Sequence, residues 1–114
     1  MMSQPDASTH TTAPVYCSHM AEVRSHIDAL DAQIVPLLAL RCGYVAQAGR
    51  IKQDPGLIYD QERIDAILER VQAQASALGA PAQVLEAAYR ALIAASIEFE
   101  RAEFARLRAQ PAQP

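Results

Sequence analysis

Tryptophan is absent from this 114-residue chain, and four Tyr and two Phe supply all of its aromatic content. Glycine, at four residues, and cysteine, at two, are also scarce. A β-sandwich or barrel draws on Gly-rich turns and on strands of Val, Thr and aromatics, so these shortages exclude an all-β fold. Cys17 and Cys42 fit neither a disulfide framework nor a metal-ligand spacing, as expected of free thiols in a reducing cytoplasm. Lys52 is the single lysine among ten basic residues. A formal charge of −3 leaves no basic stripe for a nucleic acid or an anionic membrane, and neither partner is expected. No stretch approaches the ~18 consecutive apolar residues of a membrane span. The first residues lack the basic and apolar regions of a secretory signal, so a cytoplasmic location is expected.

What is present is alanine, about a fifth of the chain, within a hydrophobic total of 51%. Alanine is the best helix former, so the expectation is one all-α domain. Residues 1–17 and 110–114, rich in Pro, Gln, Ser and Thr or in Pro, Gln and Ala, read as disordered tails around a helical domain at 18–109.

Three helices are predicted. The first runs from Ser18, as N-cap, to about Gln53, ahead of the turn signal Asp54-Pro55-Gly56. Its apolar seam is Met20, Val23, Ile27, Leu30, Ile34, Leu37, Tyr44, Ala48 and Ile51. Pro36 removes one helical hydrogen bond, at a cost of ~3 kcal/mol unless the bend is used. The seam keeps its phase on both sides of Pro36, which favours one kinked helix over two. The second helix has Asp60 as N-cap, a buried face of Ile64, Ile67, Leu68, Val71 and Leu78, and Gly79 as its stop. Pro81 opens the third, in its first turn. The stripe there is Leu85, Tyr89, Leu92/Ile93, Ser96/Ile97, Glu100, Phe104 and Leu107.

Length bears on assembly. A first helix of ~35 residues is about 50 Å long, against a radius of gyration of ~13 Å for a compact 100-residue domain. Two shorter helices cannot cover such a rod. A homodimer sharing the long helices is the expected solution.

Polar residues stand at core positions. Arg41 shares the heptad register of Ile27, Ile34 and Ala48, Glu100 interrupts the third stripe, and Lys52 ends the first helix. Taken singly, each has an ordinary explanation: an arginine snorkelling to a rim, an ion-paired glutamate, a lysine complementing a helix dipole. Taken together, they line a charged cavity between facing helices. Arg24 lies 28 residues before Lys52 on the same helix, a separation of ~42 Å at the helical rise. One chain cannot bring both to a small ligand, whereas an antiparallel dimer can. Two arginines and a lysine converging there suit a small dicarboxylate.

Glu22 to Lys52 reads E-V-R-x-x-I-D-x-L-D-x-x-I-x-x-L-L-x-L-R-x-x-Y-V-x-x-A-x-x-I-K. This segment resembles the first helix of the all-helical (AroQ-type) chorismate mutases, a family that includes the similar isochorismate-pyruvate lyases of salicylate synthesis. D-Q-E-R-I-D-A-I-L-E-R, at Asp60 to Arg70, resembles the start of the family's second helix. The third helix aligns through Ser96 and Glu100, so the resemblance covers about Ala21 to Arg106. It implies an intertwined homodimer that rearranges chorismate to prephenate, within aromatic amino-acid biosynthesis and without a cofactor or metal. By position, Arg41 and Arg24 would hold the substrate's carboxylates, Arg24 reaching in from the other subunit. Lys52 would meet the ether oxygen and a carboxylate, and Glu62 the ring hydroxyl. Ser96 would line the pocket, and Glu100 would face the ether oxygen as a donor when protonated.

The chain departs from the bacterial mutases in several places. Gln61 stands where an arginine commonly precedes the glutamate, and the loop at Gln53 to Tyr59 is shorter, closer to the lyase branch. Leu57 and Ile58 therefore offer no polar side-chain contact there. Pro36 is unusual in the long helix. The alternatives to a mutase are the lyase itself and a non-catalytic helical dimerisation module. Ser96 and Glu100 favour the mutase, since the lyases resemble one another in bulky aromatics and Gln at those positions.

Overall fold

The computed structural model describes residues 13–109. Three α-helices carry it: α1 (Met20–Ile51), α2 (Gln61–Leu78) and α3 (Ala82–Ala109), with a 3-10 turn at Pro55–Leu57. No strand occurs among the described residues, and the fold is all-α. The stretches expected as tails lie outside the described residues at 1–12 and 110–114, while 13–17 carries no regular secondary structure. The chain divides into two compact units at Val35/Pro36.

In the first unit, the N-terminal part of α1 starts at Met20, one residue later than a Ser18 cap would place it. Ser18 is not its cap: the backbone N–H of Ser18 donates to Glu22 at 2.6 Å, and the amides of Glu22 and Val23 turn back to the carbonyl of His19. An acidic side chain in the first turn thus ties down the incoming strand of chain and complements the helix dipole. The seam residues Ile27, Leu30 and Ile34 are about half exposed. Helix α1 is a single helix with Pro36 inside it.

Helix α1 is apolar on average although no long unbroken apolar run occurs in it. The helix contains an 18-residue window of mean hydropathy 1.3 and is long and apolar enough, by length and composition, to cross a membrane. Unbroken apolar runs miss this window, because isolated polar residues interrupt α1 while leaving the average high.

The second unit holds the core. Ile67, Leu68 and Val71 of α2 pack on Ile93 of α3, flanked by Ile64, Leu85, Tyr89 and Ile97. Each aliphatic side chain so buried contributes roughly 1.5–3 kcal/mol. Asp60 caps α2, its carboxylate accepting the amide of Arg63 at 3.0 Å, and Gly79 ends the helix in the left-handed region at φ 67°. Pro81 falls just before α3 rather than within its first turn, and its carbonyl accepts the amides of Val84 and Leu85. The expected buried face of α2 is shortened at one end: Leu78 is 66% exposed, because the chain turns away at Gly79.

Helix α1 ends against α3. A Cβ built on Gly49, which is buried, would stand 3.2 Å from the Glu100 carbonyl, a tight contact that only a shift of a few tenths of an ångström would relieve. Asp54 caps the short turn that follows, accepting from the Gly56 amide, and Ile58 at its end is buried.

Candidate active site

A cavity of about 310 Å³ opens within the second unit. That is the scale of a small-molecule pocket. Its apolar walls are Val45, Ala48, Ile58, Ile64, Ile67, Ile93 and Ile97, with Tyr44 at one side. Its polar wall is Arg41, Lys52, Asp60, Arg63, Ser96 and Glu100.

The helical period explains the polar wall. Arg41, Val45, Ala48 and Lys52 recur at intervals of three or four along and just beyond α1, and Ile93, Ser96, Ile97 and Glu100 do so on α3. Residues so spaced share one face, so two helix faces present their polar breaks to the same space. Arg41 is fixed there by a hydrogen bond from its Nη1 to Ser96 Oγ at 3.0 Å. Ser96 thereby holds the guanidinium in place.

Among the described residues Glu100 is the buried charged one, 7% exposed. Its Oε2 lies 2.8 Å from Lys52 Nζ, while Lys52 keeps 28% of its side chain accessible. The same Oε2 has no aligned hydrogen-bond donor, so charge proximity is its main compensation. The lysine can therefore reach toward a ligand without leaving its partner. Chemically, the arrangement offers two fixed cations to anionic oxygens and a carboxyl that becomes a donor when protonated.

Of the residues expected at the site, Arg41, Lys52, Ser96 and Glu100 come together in this cavity. Glu62 does not join them. It is exposed on α2 and lies outside the cavity lining. At about 100° per residue, Glu62 falls some 200° from Ile64, on the face turned away from the core. Arg24 is exposed on the part of α1 that belongs to the first unit.

Arg63 and Asp60 were not expected in the wall. No carboxylate pairs with the Arg63 guanidinium among the described residues. The signal for Arg63 was its spacing: it lies one turn before Ile67, on the flank of the buried face rather than opposite it.

An all-helical unit thus gathers Arg41, Lys52, Arg63 and the buried carboxyl of Glu100 around a cavity of small-molecule size. The chain matches the family described as chorismate mutase type II over residues 23–101 and belongs to that family. It is 37% identical over 68 residues to a T-protein of Haemophilus influenzae, covering 59% of this chain and 18% of that protein. It is 33% identical over 84 residues to a T-protein of Enterobacter agglomerans, covering 73% and 22%. It is 39% identical over 70 residues to an isochorismate pyruvate lyase of Pseudomonas aeruginosa, covering 60% and 69%. The chain thus spans about a fifth of the length of the T-proteins it matches.

Proposed function

We propose that this protein is a chorismate mutase, converting chorismate to prephenate by an intramolecular pericyclic rearrangement. The observation that carries the reading is the Lys52–Glu100 pair beside Arg41 in one cavity. As the C–O bond breaks, negative charge grows on the ether oxygen, and a preorganised donor there can supply several kcal/mol. Lys52 is that donor, with Glu100 assisting in its protonated form. Arg41, oriented by Ser96, takes one substrate carboxylate and so holds the compact reactive conformer. The unpaired Arg63 adds a cation on the α2 side, where Gln61 supplies none.

The working unit in this reading is a homodimer in which the partner subunit's Arg24 takes the second carboxylate. The exposed apolar row on α1 supports it, with Ile34 47% and Leu37 66% exposed in a single chain. A bilayer is the other environment such a row could meet. Arg41, inside the apolar helix and bonded to Ser96, favours a protein partner over lipid. A cytoplasmic location follows from this reading.

A second reading, isochorismate-pyruvate lyase, is favoured by one observation: the chain covers 69% of the lyase relative. Incubation with each substrate separates the two. Prephenate from chorismate supports the mutase. Salicylate and pyruvate from isochorismate, with chorismate unchanged, support the lyase. Turnover of neither, and no binding of a bicyclic dicarboxylate analogue of the transition state, would favour a non-catalytic dimerisation module.

A further inference from the structure

We infer that Arg108, in the last turn of α3, is a positioning residue for Lys52. The inference rests on the reading of Lys52 as the group that meets the substrate's ether oxygen.

Helix α1 stops at Ile51, and its last carbonyls have no amide partners within the helix. Arg108 supplies donors to two of them, Gly49 and Arg50, and to the Lys52 carbonyl just beyond. Its Nη1 donates to the Gly49 carbonyl at 2.8 Å, and its Nη2 to the carbonyls of Lys52 at 2.5 Å and Arg50 at 3.3 Å. The guanidinium lies over the Phe104 ring, 3.7 Å from its centroid, which fixes the plane of the fork. A cation at a helix C-terminus also complements the dipole.

The backbone of Lys52 is therefore held on both sides. Its N–H donates to the Ala48 carbonyl at 3.0 Å, and its own carbonyl accepts from Arg108. Lys52 already lies one residue past the helix, where the ladder alone no longer fixes it. Arg108 and Glu100 belong to the same helix, so α3 grips the lysine at two points: the carbonyl by Arg108 and the ammonium by Glu100. A long, flexible side chain keeps its tip in place only if its root is fixed. A residue that never touches substrate thus sets where the ammonium stands.

The test is a double-mutant cycle on the full chain with chorismate, and with isochorismate in parallel. The variants are Arg108→Ala, Arg108→Lys and Lys52→Ala, each Arg108 variant also being combined with Lys52→Ala. Arg108→Ala is expected to lower kcat about tenfold or more with KM changed less than threefold. In the Lys52→Ala background the same change should alter the residual rate by less than about twofold. Arg108→Lys should fall between, because an ammonium keeps the charge but loses the fork. A loss of equal size in both backgrounds, or no loss in either, overturns the positioning role while leaving the mutase reading intact. If circular dichroism shows that Arg108→Ala does not fold, the Arg108→Lys pair carries the comparison. Full activity in Lys52→Ala, or a wild type inert toward both substrates, rejects the underlying reading and the inference with it.

Discussion

Lys52 Nζ stands 2.8 Å from Glu100 Oε2, and the carboxylate is the more deeply buried of the two. The acid is the fixed partner and the base the accessible one. Replacing Lys52 by Ala removes the exposed half of the pair and leaves the Glu100 carboxyl buried without its cation. The expected result is a loss of two or more orders of magnitude in kcat/KM, with the helical circular dichroism spectrum retained. A Lys52→Ala protein with unaltered kinetics would show that the site is elsewhere.

Glu100 can donate to an ether oxygen only in its protonated form. Glu100→Gln keeps the shape and supplies a neutral donor, so it is expected to retain activity, whereas Glu100→Ala removes both the donor and the partner of Lys52 and should lower kcat about tenfold or more. Steady-state kinetics on the two variants check this, and full activity in Glu100→Ala would remove Glu100 from the proposed chemistry.

Complementation tests the shared site. Arg24→Ala and Lys52→Ala homodimers should each be nearly inactive. A mixed dimer holds one site in which the intact Lys52 of one chain meets the intact Arg24 of the other. After co-refolding at equal amounts, half the dimers are mixed and each has one complete site. About a quarter of wild-type activity should return. No recovery, with mixed dimers demonstrated by mass spectrometry, contradicts the crossed arrangement.

Two glycines of α1 should respond in opposite directions to alanine. A Cβ at Gly43 meets nothing within 4 Å, so Gly43→Ala should gain about 0.5–1 kcal/mol from helix propensity. At Gly49 the added carbon would stand only 3.2 Å from the Glu100 carbonyl, which must give by a few tenths of an ångström. The neighbour here is α3 backbone rather than a flexible side-chain tip, so Gly49→Ala should lose the propensity gain seen at Gly43 and lower Tm and kcat through a small shift of α1 against the helix that carries Glu100. Thermal melts and steady-state kinetics on the two variants check this.

Glu86 links α3 to α2, accepting from Gln72 Nε2 at 2.6 Å and from Arg90 Nε at 2.8 Å. The Gln72 hydrogen bond first, and Arg90 second, hold its carboxyl below the usual value of 4.5. A carboxyl lowered on folding contributes stability above its unfolded value, and that contribution is lost as pH falls through the folded value. Glu86→Gln should therefore melt lower than wild type near neutrality, with the gap closing as pH drops below about 4.5. A Tm difference independent of pH would deny the linkage.

Much of the unit from Pro36 onward was legible in the sequence because its signals are local. The Asp60 cap, the Gly79 stop and the stripe of α3 rest on short spacings that tertiary packing had no reason to override. Arg41, Ser96 and Glu100 were visible as polar breaks in apolar periods, and those breaks meet in the cavity. Glu62 was placed by resemblance alone, and the helical phase of α2 sets it outside the cavity lining. Arg63 was passed over because a flanking position reads as surface until the opposing helix face is known. Arg108 was invisible for a different reason. Its partners are backbone carbonyls more than fifty residues away, and carbonyls leave no mark in a sequence.

The apolar row along α1 has a kinetic consequence. If that row is covered by a second copy, the long helix acquires its hydrophobic environment only on collision, so folding and association become one event. Refolding should then be second order in protein, and the melting temperature should climb with concentration instead of staying fixed. Dilution alone would switch off turnover, because a solitary chain keeps its cavity but loses the company that completes it.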